Sequence, residues 1–188
     1  LSRQQAQHQL ANNVLLVFQP REETGEGAAA MLQASLFDTF DIQAAFAVHN
    51  IPGYPESTVL LRRGTFACAS VGLKAHLTGK TSHAAEPENG VNPTAALCAI
   101  LQRLPGLPQT AIGLHDAAKC TPIHALLGEE AFGTSPSTAT VAATLRAHSD
   151  DVLTTLKRAA QQVINGEAQL HGLAHQHEWV EYFPATTS

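Results

Sequence analysis

The feature that most constrains the fold is a switching hydrophobic period in the second part of the chain. Ala69 to Gly79 alternates apolar and polar residues, as a half-exposed strand does. Asn92-Pro93 then supplies a helix start, with Asn as N-cap and Pro at the first helical position. Ala95, Leu97, Ile100 and Leu101 follow at helical spacing, and this helix is expected to stop before Pro105. Pro122 to Leu127 and Ala139 to Leu145 read as two further strands. Asp150 to Ile164 reads as an amphipathic helix with Val152, Leu153, Leu156, Ala160 and Val163 on one face, closed by Asn165-Gly166. His175 to Phe183 reads as a last strand, with Trp179 and Phe183 packing on the helices. The succession is β-α-β-β-α-β, which predicts a four-stranded antiparallel sheet with two helices on one face.

The first part reads differently. Residues 1–11, rich in Gln and Ala, suit the tail of a surface helix that Asn12-Asn13 stops. Val14 to Phe18 is a continuous apolar run ended by Pro20, and Ala44 to Val48 is a second. Such runs suit strands buried on both faces of a parallel sheet. Between them Gly25 and Gly27 precede a helix from Ala28 towards Phe37, completing a right-handed βαβ unit. Thr58 to Arg62 is a further short strand candidate. A boundary near Phe66–Ser70 divides the 188 residues into an α/β part over 1–67 and an α+β part over 68–185.

Composition excludes several functions. Eleven Lys and Arg against sixteen Asp and Glu give a net charge of −5, with no basic cluster. That argues against a nucleic-acid or anionic-membrane surface. No apolar run approaches the roughly 18 residues that span a bilayer, and no signal peptide is visible in a sequence that opens on Leu1. Cys68, Cys98 and Cys120 are odd in number and form no CxxC pair. They read as buried, reduced thiols of a cytoplasmic protein rather than a disulfide framework or zinc ribbon. No HExxH, phosphate-binding glycine loop or GxSxG elbow is present.

Two groups of residues could carry chemistry. One strand candidate ends in Arg21-Glu22-Glu23 and the other in His49-Asn50. Parallel strands would bring these ends to one edge, where open α/β folds bind ligands. Oxygen and nitrogen donors of this kind suit zinc, manganese, cobalt or nickel. One glutamate of the pair could bind a metal while its neighbour serves as general base. The alternative is a solvated acidic loop beside a helix N-terminus. The second group is the turn-rich segment from Gly79 to Pro93, which carries His83. His175 and His177 alternate on one strand face without an evident third ligand, and His8, His76, His115, His124, His148 and His171 read as polar surface residues.

In order along the chain stand Val17-Phe18-Gln19-Pro20-x-Glu22-Glu23-x-Gly25-x-Gly27-Ala28, Val48-His49-Asn50-Ile51-Pro52, Gly79-Lys80-x-x-His83-Ala84-Ala85-x-Pro87 and Gly90-Val91-Asn92-Pro93. Together they resemble the metal-dependent amidohydrolases of peptidase family M20, subfamily D, the aminoacylase, hippurate hydrolase and carboxypeptidase G group. The resemblance covers essentially the whole chain. It implies that residues 1–67 are part of a catalytic domain and 68–185 a ferredoxin-like lid that commonly mediates dimerisation. It implies that Glu22 is the general acid/base, Glu23 a metal ligand and His49 a ligand of a second metal. His83 would be the lid histidine that polarises the scissile carbonyl, and Arg146 a lid arginine that holds a substrate carboxylate by a two-pronged hydrogen bond. A surface pair of Arg146 with Asp150 or Asp151 is the competing expectation for that residue.

The resemblance also implies two divalent metal ions, zinc foremost, an N-acyl amino acid or small peptide as substrate, and a homodimer. Two departures stand out. Phe132 to Thr138 lacks the Asn-Val-Ile-Pro stretch common in the family, and with it the usual substrate-contacting amide. The family's upstream and downstream ligand segments are also absent, so the chain reads as a middle slice not expected to assemble the metal pair alone. The alternative to an enzyme fragment is a non-catalytic lid or dimerisation module, or a truncated relic.

Overall fold

A computed structural model describes residues 12–187. The expectation for residues 1–11 and the reading of His8 fall outside the described residues. The chain divides into two compact units, Leu1–Asn50 and Ile51–Ser188.

In the first unit a short 3-10 turn, Glu22–Thr24, leads into helix α1, Glu26–Gln33. The parallel βαβ unit expected here is not formed: 14–18 and 44–48 adopt no strand. The strand expected at 58–62, in the second unit, is also absent. The cause lies in the residues' own chemistry. A strand apolar on both faces needs a layer over each, and the described residues of this unit supply one eight-residue helix. Phe18 (86%), Phe46 (91%) and Val48 (97%) are therefore exposed. Every strand pairing among the described residues is antiparallel.

The second unit holds the sheet. Its main strands are β2 (Ala69–Thr78), β4 (Ala118–Leu127), β6 (Thr138–Ala147) and β7 (Ala174–Phe183), in the order β4-β6-β2-β7. Two small ladders flank it: β1 (Thr65–Ala67) with β8 (Thr186–Thr187), and β3 (Ser82–His83) with β5 (Thr134–Ser135). Helix α2 (Thr94–Arg103) ends before Pro105, as expected; a 3-10 turn, Leu104–Gly106, and the short helix α3 (Leu107–Ala111) follow it. Helix α4 spans Asp150–Leu170. The main elements from Ala69 thus run β2-α2-β4-β6-α4-β7.

Burial follows the pleat. Ala69, Val71, Leu73, Ala75 and Leu77 of β2, with Ala139, Val141, Ala143, Leu145 and Ala147 of β6, are buried. They pack with Leu97 and Ile100 of α2 and Leu153, Leu156, Ala160 and Ile164 of α4 in one core. Both helices therefore cover one face of the sheet, because alternate strand residues point the same way. Trp179 packs at the rim of this core beneath Lys157, whose Nζ lies 4.7 Å from the ring centre.

Local chemistry sets the ends of the elements. Helix α2 starts one residue later than expected, with Pro93 at the N-cap position; the N–H of Thr94 donates to Asn92 Oδ1 at 2.8 Å, a local bond just ahead of the helix. Ser149 caps α4, accepting from the Val152 N–H, with Asp150 and Asp151 in its first turn. Asn165-Gly166 does not end α4. An internal glycine costs about 1 kcal/mol against alanine, while Glu167 and Ala168 beyond it are buried. The chain leaves the helix at Gly172, with φ of +66°. Pro122 sits at a bulge of β4, an edge strand, where the missing N–H breaks no central ladder.

Candidate functional site

Glu22 and Glu23 are consecutive exposed residues of the 3-10 turn. Arg21 (φ +50°) before the turn and Gly25 (φ +72°) after it both adopt the left-handed conformation. That is routine for glycine and costly for arginine, whose side chain makes an exposed ion pair with Glu26 at 2.7 Å. Gly27 is required for a different reason. A Cβ at Gly27 would lie 1.6 Å from the Pro20 carbonyl oxygen, so only glycine lets α1 start this close to the preceding chain. The two glutamates thus project from a short turn pinned at both ends.

His49 lies in the same unit, exposed and outside any helix or strand. Carboxylate and imidazole donors match a hard-to-borderline divalent cation in chemistry. Among the described residues no group of three or more His, Cys, Asp or Glu side chains is placed to hold a metal ion. Glu22, Glu23 and His49 therefore fit a metal in kind but do not form a complete ligand shell.

His83 ends β3, opposite Thr134 of β5. Its loop is tied down by several side chains. Thr81 Oγ1 donates to the Ser135 carbonyl at 2.9 Å, and Asn92 Nδ2 donates to Ser135 Oγ at 3.0 Å. The N–H of Ala84 donates to the Gly133 carbonyl at 3.0 Å. Ser135 is buried, so these bonds satisfy a polar group with no access to water. The imidazole itself is exposed, and its Nδ1 accepts from the Ala85 N–H at 3.1 Å. Sequence reasoning finds His83 but not these partners. The only signal for any of them is the polarity of Thr81, Ser135 and Asn92 around the segment.

Arg146 stands on β6 with Ser70 of β2 on one side and Lys119 of β4 on the other. It lies on the sheet face away from the helices, since Leu145 and Ala147 beside it are buried among them. The surface pair with Asp150 or Asp151 is not formed. Asp150 instead accepts from the Tyr182 hydroxyl at 2.8 Å and the Ala185 N–H at 3.3 Å. Among the described residues Arg146 makes no ion pair.

Three further histidines of the second unit have local partners. His175 pairs with Asn165 of α4 at 2.8 Å, His177 meets Trp179 edge-on at 5.9 Å, and His76 pairs with Thr140 at 3.1 Å. No helix among the described residues is long and apolar enough to cross a membrane.

The sequence profile of peptidase family M20/M25/M40 matches residues 1–183. Among curated proteins, an uncharacterized hydrolase of Staphylococcus aureus is 29% identical over 180 residues, covering 95% of this chain and 46% of the relative. The N-acetyldiaminopimelate deacetylase of Priestia megaterium is 29% identical over 161 residues, covering 86% of this chain and 43% of the relative. The chain therefore spans about half the length of the curated relatives it matches. Among solved structures, the aminobenzoyl-glutamate utilization protein of Klebsiella pneumoniae superposes with a TM-score of 0.72 at 23% identity, over 90% of this chain and 42% of that one. The YXEP protein of Bacillus subtilis, described as a dinuclear metal-binding peptidase, gives 0.69 at 22% identity, over 91% and 41%.

Proposed function

The chain belongs to peptidase family M20/M25/M40, and we propose that it carries part of the active site of a two-metal amidohydrolase acting on an N-acyl amino acid or small peptide. The observation that carries this reading is the family match over residues 1–183, which takes in Glu22, Glu23, His49, His83 and Arg146. A deacetylase among the relatives supports an acylated amino acid as the substrate class.

Each residue has a role its chemistry permits. Glu22 takes a proton from the attacking water and returns it to the nitrogen of the leaving amine. General acid–base catalysis of this kind contributes about 10²–10⁴-fold. Glu23 and His49 would hold divalent metal, zinc foremost, completed by donors outside the described set. The metal, when bound, supplies Lewis-acid polarisation of water and carbonyl. His83 donates a hydrogen bond to the carbonyl oxygen of the scissile amide, and Arg146 grips the substrate carboxylate through its planar fork.

Residues 68–185 serve in this reading as a ferredoxin-like lid that delivers His83 and Arg146 and joins two copies of the chain. Edge strand β4, with Ile123 and Leu126 exposed, is the surface offered to the second copy.

The test is turnover of a panel of N-acyl amino acids, with metal content measured in parallel. Both the 188-residue chain and a chain extended on each side to the length of the curated relatives are assayed. Metal-dependent hydrolysis by the extended chain, with little or none by the 188-residue chain, is the expected result. Full turnover by the 188-residue chain would overturn the partial-site reading. No hydrolysis of any N-acyl amino acid or dipeptide by the extended chain would overturn the enzyme reading.

A further inference from the structure

We infer that the backbone N–H of Ala85 locks His83 into the tautomer with its proton on Nε2, making the ring an outward-facing hydrogen-bond donor and not a metal ligand through that atom. The inference rests on the reading of His83 as the group that meets a substrate oxygen, and it names the protonated atom that reading leaves open.

The geometry starts from the backbone. His83 is the last residue of β3, and the Glu86 N–H closes a turn onto the His83 carbonyl at 2.9 Å. The Ala84 N–H donates to the carbonyl of Gly133, the residue just before β5, so the turn is anchored there as well. These bonds fix the path of residues 83–86 without using the imidazole. Within that turn the Ala85 N–H points at His83 Nδ1, at 3.1 Å. An N–H donor needs a lone pair to meet, and a neutral imidazole has one on only one of its two nitrogens. Nδ1 is therefore the bare nitrogen and Nε2 carries the proton.

The consequence follows from the same logic that governs histidine elsewhere: the bond made by one ring nitrogen decides what the other can do. Among the described residues Nε2 makes no hydrogen bond, and the side chain is exposed. A protonated Nε2 recognises a carbonyl or anionic oxygen. It has no in-plane lone pair for a cation. The fold thus separates His83 from Glu23 and His49 in chemical role, although all three are residue types that bind metals. Ala85 acts as a positioning residue through its main chain, so side-chain substitutions that keep the N–H leave it intact.

The test is long-range proton–nitrogen correlation of ¹⁵N-labelled chain in alkaline buffer, where imidazoles are uncharged. A pyridine-like Nδ1 and pyrrole-like Nε2 for His83 are expected, with a resolved nitrogen–nitrogen scalar coupling between the Ala85 amide and Nδ1. A proton on Nδ1, fast-exchanging averaged shifts, or no such coupling would overturn the inference. Ala85→Pro deletes the donor and should move both nitrogens towards averaged shifts, while Ala85→Gly should leave them unchanged. If Ala85→Pro disrupts the turn, the coupling in the unsubstituted chain still decides. The outcome is independent of turnover. A proton on Nδ1 would leave the hydrolase reading standing, and an inactive extended chain would leave the tautomer standing.

Discussion

Leu156→Ala should destabilise the second unit far more than any single truncation among the exposed apolar residues of 12–50. Leu156 is 0% exposed on α4 and sits in the core with β2 and β6. Truncating a buried leucine removes its transfer free energy and leaves a cavity that relaxes only in part. Together these cost about 2–5 kcal/mol, and a site enclosed on all sides belongs near the middle, at about 3 kcal/mol. Phe46→Ala is the control, because Phe46 is 91% exposed and its removal should stay within about 0.5 kcal/mol. The chain has a single tryptophan, Trp179, on β7 at the rim of this core, so its fluorescence reports unfolding of this unit. With a urea slope of about 1–3 kcal/mol/M, the Leu156→Ala midpoint should fall by about 1–3 M. Equal midpoints for the two variants, or a fall below about 0.3 M on that same slope, would refute the placement of the core.

Three further outcomes follow from particular residues. Cys68 and Cys98 are exposed, whereas burial pushes the Cys120 thiol up to about 11, so a thiol reagent near neutral pH should label two cysteines quickly and Cys120 only on unfolding. Tyr182 donates to Asp150 Oδ1, and that bond raises its phenol above the ordinary value, with burial and the Asp150 charge acting the same way. The folded chain therefore holds this proton more tightly than the unfolded one. The stabilisation is present below the ordinary tyrosine value and is lost as pH rises through the folded value. Phenolate absorbance in a Tyr54→Phe background should show Asp150→Ala bringing the Tyr182 midpoint down. Arg103→Ala should cost about 2 kcal/mol, because it leaves the Glu167 carboxylate, 8% exposed, without its closest partner. The figure is below that of a fully buried pair because Arg103 is 56% exposed, and chemical denaturation measures it.

The second unit was legible because its strands have one wet face. Alternation in Ala69–Thr78 and helical spacing in α4 each encode a single buried side, and the core uses those sides. Where a local signal competed with burial, burial won: Asn165-Gly166 reads as a helix end, yet Ile164, Glu167 and Ala168 hold α4 to Leu170. Residues 14–18 and 44–48 failed for the opposite reason. A run that is apolar throughout says only that both faces want cover, and cover must come from elsewhere in the chain or assembly. In the candidate site, the sequence pattern located Glu22, Glu23, His49, His83 and Arg146 as chemistry-bearing types. It could not show that Gly27 lets α1 abut Pro20, or that a main-chain N–H selects the tautomer of His83. Both are backbone contacts, and a backbone contact has no residue type to read.

The role of Glu22 is tested most directly by Glu22→Gln in the extended chain, assayed for hydrolysis of an N-acyl amino acid with divalent metal present. The substitution keeps size and polarity and removes only the ability to take and return a proton. The account predicts a kcat lower by about 10²–10⁴-fold with metal content unchanged. Hydrolysis undiminished by Glu22→Gln would contradict it.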